Sequence, residues 1–219
     1  MPDRVQESRE LMRSIPEVTY LQHESTNINL PAQAGRPAVS LKIFGSPFSP
    51  AHDELKQNWA FQYPASDADG LWNAIPEGTD IVITHTPPKG HCDESHHWPQ
   101  GGCAALTRRP REVKPTLHVC GHCHEGRGAQ IVDSEGEGPG SDGGVWKWED
   151  GSVGTKKQAL LDLTGRTKGP GGRSLTLGTE TAVVNCAIMA KSHGREGKKE
   201  FNKPIVVDLP LPLSVEQEI

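Results

Sequence analysis

Residues 80–88 have the sequence DIVITHTPP, and residues 117–125 have the sequence LHVCGHCHE. In both segments a short apolar run precedes His85 or His122, which is typical of a β-strand that ends in a loop. His85 follows the first run, and His122 and His124 follow the second. Because open α/β sheets bind ligands beyond the carboxyl ends of their strands, these segments predict that three imidazoles meet at one edge of a sheet.

Similar short runs recur along the chain, each bounded by turn residues. They predict β-strands at 18–23, 41–45, 80–85, 116–120, 129–132, 181–187 and 204–209. Helix signals are fewer, and they predict helices at 4–13, 68–74 and 102–108. We therefore expect a sheet-dominated α/β fold with helices over one face of the sheet.

The composition indicates one domain over residues 1–219, with 34% hydrophobic and 23% charged residues. The 24 Gly and 18 Pro residues indicate many loops rather than a disordered chain. Two segments dominated by Gly and polar residues predict surface insertions near 133–144 and 165–172.

Charge and hydropathy exclude several classes of partner. The net charge is -5 and the basic residues are scattered, which argues against a nucleic-acid partner. No apolar stretch approaches the roughly 20 residues that cross a bilayer, and residues 1–10 lack the apolar core of a signal peptide. The five cysteines are odd in number and irregularly spaced, which suits a reducing compartment. These features predict a cytoplasmic protein without a membrane partner.

The His-x-His pair at 122 and 124 suits a two-metal site. In an extended segment the two side chains would share a face about 7 Å apart. Two metal ions roughly 3.5–4 Å apart could each take one of them. A histidine at a strand end is also often a hydrogen-bonded structural residue, and glycines such as Gly121 are common in plain turns. From these residues alone, both interpretations stand.

The remaining histidines and the cysteines give weaker signals. No role is assigned to His23, His52, His91, His118 and His193, and His96 and His97 are expected in an exposed loop. Cys120 and Cys123 have the spacing of half a zinc site, but the other cysteines do not form a matching pair. We expect most cysteines to pack in the interior.

Several motifs occur together in a specific order. They are WxxIP at 72–76, DIVITHTPPxG at 80–90, GCxxL at 102–106, PxLHVCGHCHEG at 115–126, VNCA at 184–187 and NKPIVVD at 202–208. This series resembles the late motifs of the calcineurin-like metallophosphoesterase superfamily, above all its small eukaryotic metallophosphoesterase-domain subgroup.

The resemblance implies a four-layer α-β-β-α sandwich that holds two divalent metal ions. His85 and His122 would bind one ion and His124 the other, the ions being Mn, Fe, Zn or Mg. The implied reaction is the attack of a metal-activated water on the phosphorus of a small phosphoester, as in a phosphodiesterase.

The chain also departs from the family pattern. The early motifs Asp-x-His, Gly-Asp-x-x-Asp and Gly-Asn-His do not occur in residues 1–83, so no catalytic residue is assigned. The resemblance therefore implies the C-terminal portion of the domain, N-terminally truncated, with an incomplete sheet and an exposed edge. Imidazoles cannot replace a carboxylate whose negative charge offsets the repulsion between two dications. Weak or partial metal binding and little or no turnover are expected.

Three hypotheses follow from the sequence. The first is a hydrolase of the metallophosphoesterase family, impaired by the missing motifs. The second is a non-catalytic binding or regulatory relative. The third is an unrelated zinc module that uses Cys120 and Cys123, and a metal assay separates it from the other two.

Overall fold

The computed structural model describes residues 4–51, 60–96, 101–134, 144–169, 171–190 and 200–211. The helices within these ranges are α1 (Arg4–Arg13), α2 (Ala68–Trp72) and α3 (Ala104–Val113). The strands are β1 (Glu24–Leu30), β2 (Val39–Ser46), β3 (Ser49–Pro50), β4 (Gln62–Tyr63), β5 (Ile81–Thr84), β6 (Leu117–Cys120), β7 (Gly128–Asp133), β8 (Val145–Lys147), β9 (Ala159–Asp162), β10 (Glu180–Asn185) and β11 (Ile205–Asp208).

A seven-stranded sheet has the order β1-β2-β5-β6-β10-β7-β8. Its central strands β2, β5, β6 and β10 are parallel, whereas β1, β7 and β8 each run antiparallel to a neighbour. Every residue of β10 is buried, as expected for a strand covered on both faces. The sheet-dominated α/β fold is thus confirmed.

Each face of this sheet carries its own apolar core. Neighbouring residues of a strand point to opposite faces, and Val82 packs with Trp72 of α2 and Leu106 of α3. Ile81 instead packs against the cluster that includes Leu161 of the small sheet formed by β9 and β11. The resulting layers of helices, large sheet and small sheet agree with part of an α-β-β-α sandwich.

Two of the three predicted helices cover the sheet. α1 has the predicted bounds but no buried residue, so it does not contribute to the helix-side core. α3 starts later than predicted, because Cys103 forms a parallel bridge with Pro88 and its amide donates to the carbonyl of Pro87 at 2.9 Å. None of the helices described in the structure is long and apolar enough to cross a membrane.

The predicted strand at 18–23 is wrong. This segment is irregular, and Leu21 packs where any side chain on Gly45 would overlap it. His23 then adopts a left-handed conformation with φ 61°, which ends any extended run before β1 begins. Its ring is held by Ser46 Oγ at 3.0 Å and by the carbonyl of Leu71 at 3.1 Å.

The two predicted insertions are only partly covered by the structure. Within 133–144, residues 135–143 lie outside the described residues. Within 165–172, residue 170 is likewise outside, and the rest forms turns without helix or strand. The single-domain assignment over 1–219 stays a prediction.

Asp162 fixes the turn that follows β9. One carboxylate oxygen accepts hydrogen bonds from the amide and the hydroxyl of Thr164 at 2.8 and 2.6 Å. The other accepts from the amide of Thr167 at 2.6 Å. Burial alone would raise the pKa of Asp162, but these hydrogen bonds outweigh it and hold the pKa well below its usual range.

We expect Asp162→Asn to reduce the stability of the fold and to change its pH dependence. The amide nitrogen of Asn would face backbone donors, at a cost of about 1–3 kcal/mol in the free energy of unfolding at pH 7. Because the folded pKa of Asp162 lies below its unfolded value, its contribution is complete above about pH 4 and is lost as the pH falls further. Urea unfolding between pH 7 and about pH 3 should therefore show that the free energy of unfolding falls less with pH for Asp162→Asn than for the unaltered chain.

Asp208→Asn provides the matched control, because Asp208 is an exposed carboxylate on the neighbouring strand β11. Its unfolding curves should follow those of the unaltered chain. Equal acid sensitivity in Asp162→Asn and the unaltered chain would show that Asp162 does not contribute in this way.

Candidate metal centre

The predicted histidines lie at the carboxyl ends of β5 and β6, which are adjacent and parallel. The amide of His85 donates to the carbonyl of Ser46 at 3.2 Å, so the backbone still follows β2 where β5 ends. The amide of Gly121 donates to the carbonyl of His85 at 3.0 Å. These backbone hydrogen bonds join the two loops, so that their histidines emerge at the same edge of the sheet.

His85 and His122 contact each other directly. Nε2 of His85 lies 3.1 Å from Nδ1 of His122, and the ring centroids are 4.8 Å apart. His122 has φ 63°, an uncommon conformation for a residue other than Gly, which reverses the chain just beyond β6. Two nitrogens at this separation could both lie about 2.0–2.1 Å from one ion, with an angle of about 100° at the metal. The pair could therefore supply two of the ligands of one metal ion.

His124 is the third predicted ligand. Its Nδ1 is buried and has no hydrogen-bond partner among the residues that the structure describes. Burial lowers the pKa of His85, and the charge of His124 lowers it further, so the two rings lie within electrostatic range. A lowered pKa keeps His85 neutral at neutral pH, and the neutral form carries the lone pair that metal binding requires.

The arrangement is not a complete metal site. Over the described ranges, no group of three or more His, Cys, Asp or Glu side chains is arranged to hold one ion. The structure brings His85 and His122 together with His124 nearby, and ligation by these residues stays a prediction.

Asn185 holds both loops in place, a role that no sequence pattern predicted. Its side chain is fully buried at the end of β10. The amide nitrogen donates to the carbonyls of Cys92 and Cys123 at 2.9 and 2.7 Å, and the amide oxygen accepts from the backbone of Ala187 at 2.9 Å. Its signal in the sequence was a single polar residue at the end of an apolar strand.

The cysteines are mostly interior, as expected. Cys92, Cys103, Cys120 and Cys123 are buried, whereas Cys186 is exposed. Burial raises the pKa of Cys123 to about 12, and nearby acidic groups, Asp93 first, add to this. Within the described ranges, no group of three or more His, Cys, Asp or Glu side chains could hold one ion, so the structure offers no further ligands to a zinc module built on Cys120 and Cys123.

Known proteins match part of the chain, although no family model does. Metallophosphoesterase domain-containing protein 1 of Homo sapiens is 43% identical over 90 residues, which are 40% of this chain and 26% of that protein. UPF0046 protein T07D4.2 of Caenorhabditis elegans is 41% identical over 90 residues, 40% of this chain and 22% of that protein.

A third relative carries an unrelated name. Probable rhamnogalacturonate lyase C of Emericella nidulans is 42% identical over 115 residues, 52% of this chain but 10% of that protein. The chain thus spans about a quarter or less of the length of these three relatives. The name of the human relative agrees with the resemblance that the motif series indicates. Over the segment that it shares with them, the chain is similar to proteins of the metallophosphoesterase superfamily.

Proposed function

We propose that this protein is a metal-dependent phosphoesterase, a hydrolase in which His85 and His122 hold one divalent ion and His124 holds a second. The observation that carries the proposal is the 3.1 Å approach of two ring nitrogens from separate loops. The ions would be Mn, Fe, Zn or Mg, the substrate a small phosphoester such as a phosphodiester, and the location the cytoplasm. When bound, such ions supply an activated water and neutralise the phosphoryl oxygens.

The protein's own residues prepare the site in three ways. Burial keeps His85 neutral and ready to bind. The backbone hydrogen bond from Gly121 to His85 keeps the two loops in register. The buried amide of Asn185 holds the backbone next to His122 and His124 through the carbonyl of Cys123. The two hydrogen-bond contacts reduce the conformational freedom that would be lost on metal binding.

The early family motifs that carry the acidic metal ligands do not occur in residues 1–83. Without them the described residues offer imidazoles alone, and the repulsion between two dications is not offset. The chain by itself is therefore expected to bind metal weakly and to hydrolyse phosphodiesters only slowly.

A non-catalytic binding or regulatory relative is the second candidate. It is favoured by the finding that the described residues contain no group of three or more ligands for one ion. Such a protein would keep the fold and the loop contacts without catalysing hydrolysis.

Calorimetric titration with Mn²⁺ and with Zn²⁺ tests the metal site. We expect weak binding by the unaltered chain and a loss of at least about ten-fold in affinity for His122→Ala, because even outer-shell changes cost about 10–100-fold. His96→Ala is the control, since His96 is exposed in a separate loop, and it should bind as the unaltered chain does.

Hydrolysis of bis(p-nitrophenyl) phosphate, measured with each metal, separates the two candidate functions. Metal-dependent hydrolysis that His122→Ala abolishes would support the hydrolase, even at a low rate. Binding without hydrolysis would favour the non-catalytic relative. Absence of binding, or equal affinity for His122→Ala and the unaltered chain, would contradict the proposed metal site.

A further inference from the structure

A small cavity lies between α3 and the large sheet, on the opposite side of β5 and β6 from the small sheet. Its volume is about 20 Å³, which is room for one water molecule. Its lining includes the apolar residues Leu106 and Pro110 of α3 and Val183 of β10. Six residues with polar side chains also line it, among them His91, His118 of β6 and Arg111 of α3.

The hydrogen bonds of His118 define its tautomer. The hydroxyl of Thr84 donates its one hydrogen to the carbonyl of Thr86 at 2.6 Å. The same oxygen lies 2.8 Å from Nε2 of His118, so it must accept a hydrogen from that nitrogen. Nδ1 of His118 therefore carries a lone pair and acts as an acceptor.

This acceptor needs a donor that no described residue provides. His118 is fully buried, and its Nδ1 has no hydrogen-bond partner in the part of the chain that the structure describes. Burial lowers the pKa of His118 to about 3, with a smaller contribution from His91, so the ring stays neutral. Leaving such a nitrogen buried without a partner costs about 1–3 kcal/mol.

Arg111 carries a buried hydrogen-bond donor in its guanidinium group. Its Nε is a buried donor that also lacks a partner within the described ranges. The residues that carry this acceptor and this donor, His118 of β6 and Arg111 of α3, line the same cavity. A ligand that satisfies both must donate one hydrogen bond and accept another.

We propose that this cavity binds one structural water molecule, which donates to Nδ1 of His118 and accepts from Nε of Arg111. The volume suits one water molecule. An anion would meet the lone pair of His118, and a metal cation would meet the positive charge of Arg111. A neutral molecule of the size of water fits both groups.

The water extends a chain of contacts to the candidate metal centre. It joins Arg111 to His118, His118 bonds to Thr84, and Thr84 bonds to the carbonyl of Thr86. Thr84 and Thr86 flank His85, so the chain fixes the backbone on both sides of that residue. His118 is thereby a positioning residue for His85, whichever function the metal centre has.

A crystal structure at a resolution that shows ordered waters tests the site directly. We expect one water within hydrogen-bond distance of both His118 Nδ1 and Arg111 Nε. Absence of a water, a water that contacts only one of the two atoms, or a protein group in its place would overturn the proposal.

NMR of the imidazole nitrogens tests the tautomer in solution. At pH 7 we expect hydrogen on Nε2 of His118 and an unprotonated, hydrogen-bonded Nδ1. A hydrogen on Nδ1, or a doubly protonated ring, would contradict the assignment. Both experiments use the unaltered chain, so the proposal is testable even if variants fail to fold.

Arg111→Met tests the bridge, because Met keeps most of the side-chain packing and removes the donor. The rotating-frame cross-peak between water and the ring of His118 should be lost in this variant. Arg108→Met is the matched control on the same helix, where Arg108 forms an exposed ion pair with Asp69, and it should keep the cross-peak. A cross-peak that persists in Arg111→Met would refute the bridge.

Discussion

Trp72→Ala should lower the free energy of unfolding by about 3–5 kcal/mol, the usual cost of removing a buried aromatic ring. Trp72 is fully buried at the end of α2, where it packs with Phe44 and Val82 of the large sheet. Its indole nitrogen donates to the hydroxyl of Tyr63 at 2.9 Å, and that hydroxyl donates to the sulfur of Cys103 at 3.2 Å. The substitution therefore creates a cavity and also removes a donor from a buried hydroxyl.

Urea unfolding of Trp72→Ala and Trp146→Ala measures this difference. Trp146 is a partly buried tryptophan on β8 near the edge of the sheet, so its replacement should cost much less. Because whole domains are stable by only about 5–15 kcal/mol, a loss of this size leaves Trp72→Ala close to unfolding, and its urea midpoint should be measured at low temperature. Equal midpoints for the two variants would show that Trp72 contributes no more to the free energy of unfolding than Trp146 does.

Most of the predicted strands that the structure contains are apolar runs with buried residues, whereas β11 is an apolar run without a buried residue. β5, β6 and β10 are such runs, and their side-chain pattern alone indicates them. β1 was missed because its sequence, ESTNINL, is polar and almost wholly exposed, so pairing with β2 is what makes it a strand. Residues 18–23 failed in the opposite way, since Leu21 packs against Gly45 of β2 while the segment does not pair in the sheet.

The meeting of His85 and His122 could be predicted because their strands are short, apolar and followed directly by the histidines. What the sequence could not show is how the loops are held. The contacts of Asn185 with Cys92 and Cys123 span large sequence separations, and no local pattern encodes them. The role of His118 was hidden for the same reason, because its hydrogen-bond partner Thr84 comes from another strand.

Gly126→Ala should have the second-largest effect, because the loop that carries His124 passes close to the backbone of Cys92. A Cβ at residue 126 would overlap the carbonyl oxygen of Cys92 and lie 2.6 Å from its carbonyl carbon. A third neighbour, the amide nitrogen of Glu94, would lie at 3.0 Å. These atoms are all backbone, so no side-chain rotation can relieve the overlap.

The overlap must therefore be relieved by moving one of the two loops. Moving Cys92 strains the hydrogen bond that its carbonyl accepts from Asn185, and moving residue 126 displaces His124. We expect a loss of about 3 kcal/mol in the free energy of unfolding, at the upper end of the usual range for overpacking. Metal affinity should fall as well, because the loop that presents His122 and His124 shifts.

Gly151→Ala is the matched control, since a Cβ there meets no atom within 4 Å and its φ is not in the left-handed region. It should change the free energy of unfolding by less than about 0.5 kcal/mol. Urea unfolding of both variants, followed by titration with Mn²⁺, separates a loss of stability from a loss of site geometry. If Gly126→Ala unfolds and binds metal as Gly151→Ala does, the two loops are not in close contact, and the site is not held together by the backbone around Asn185.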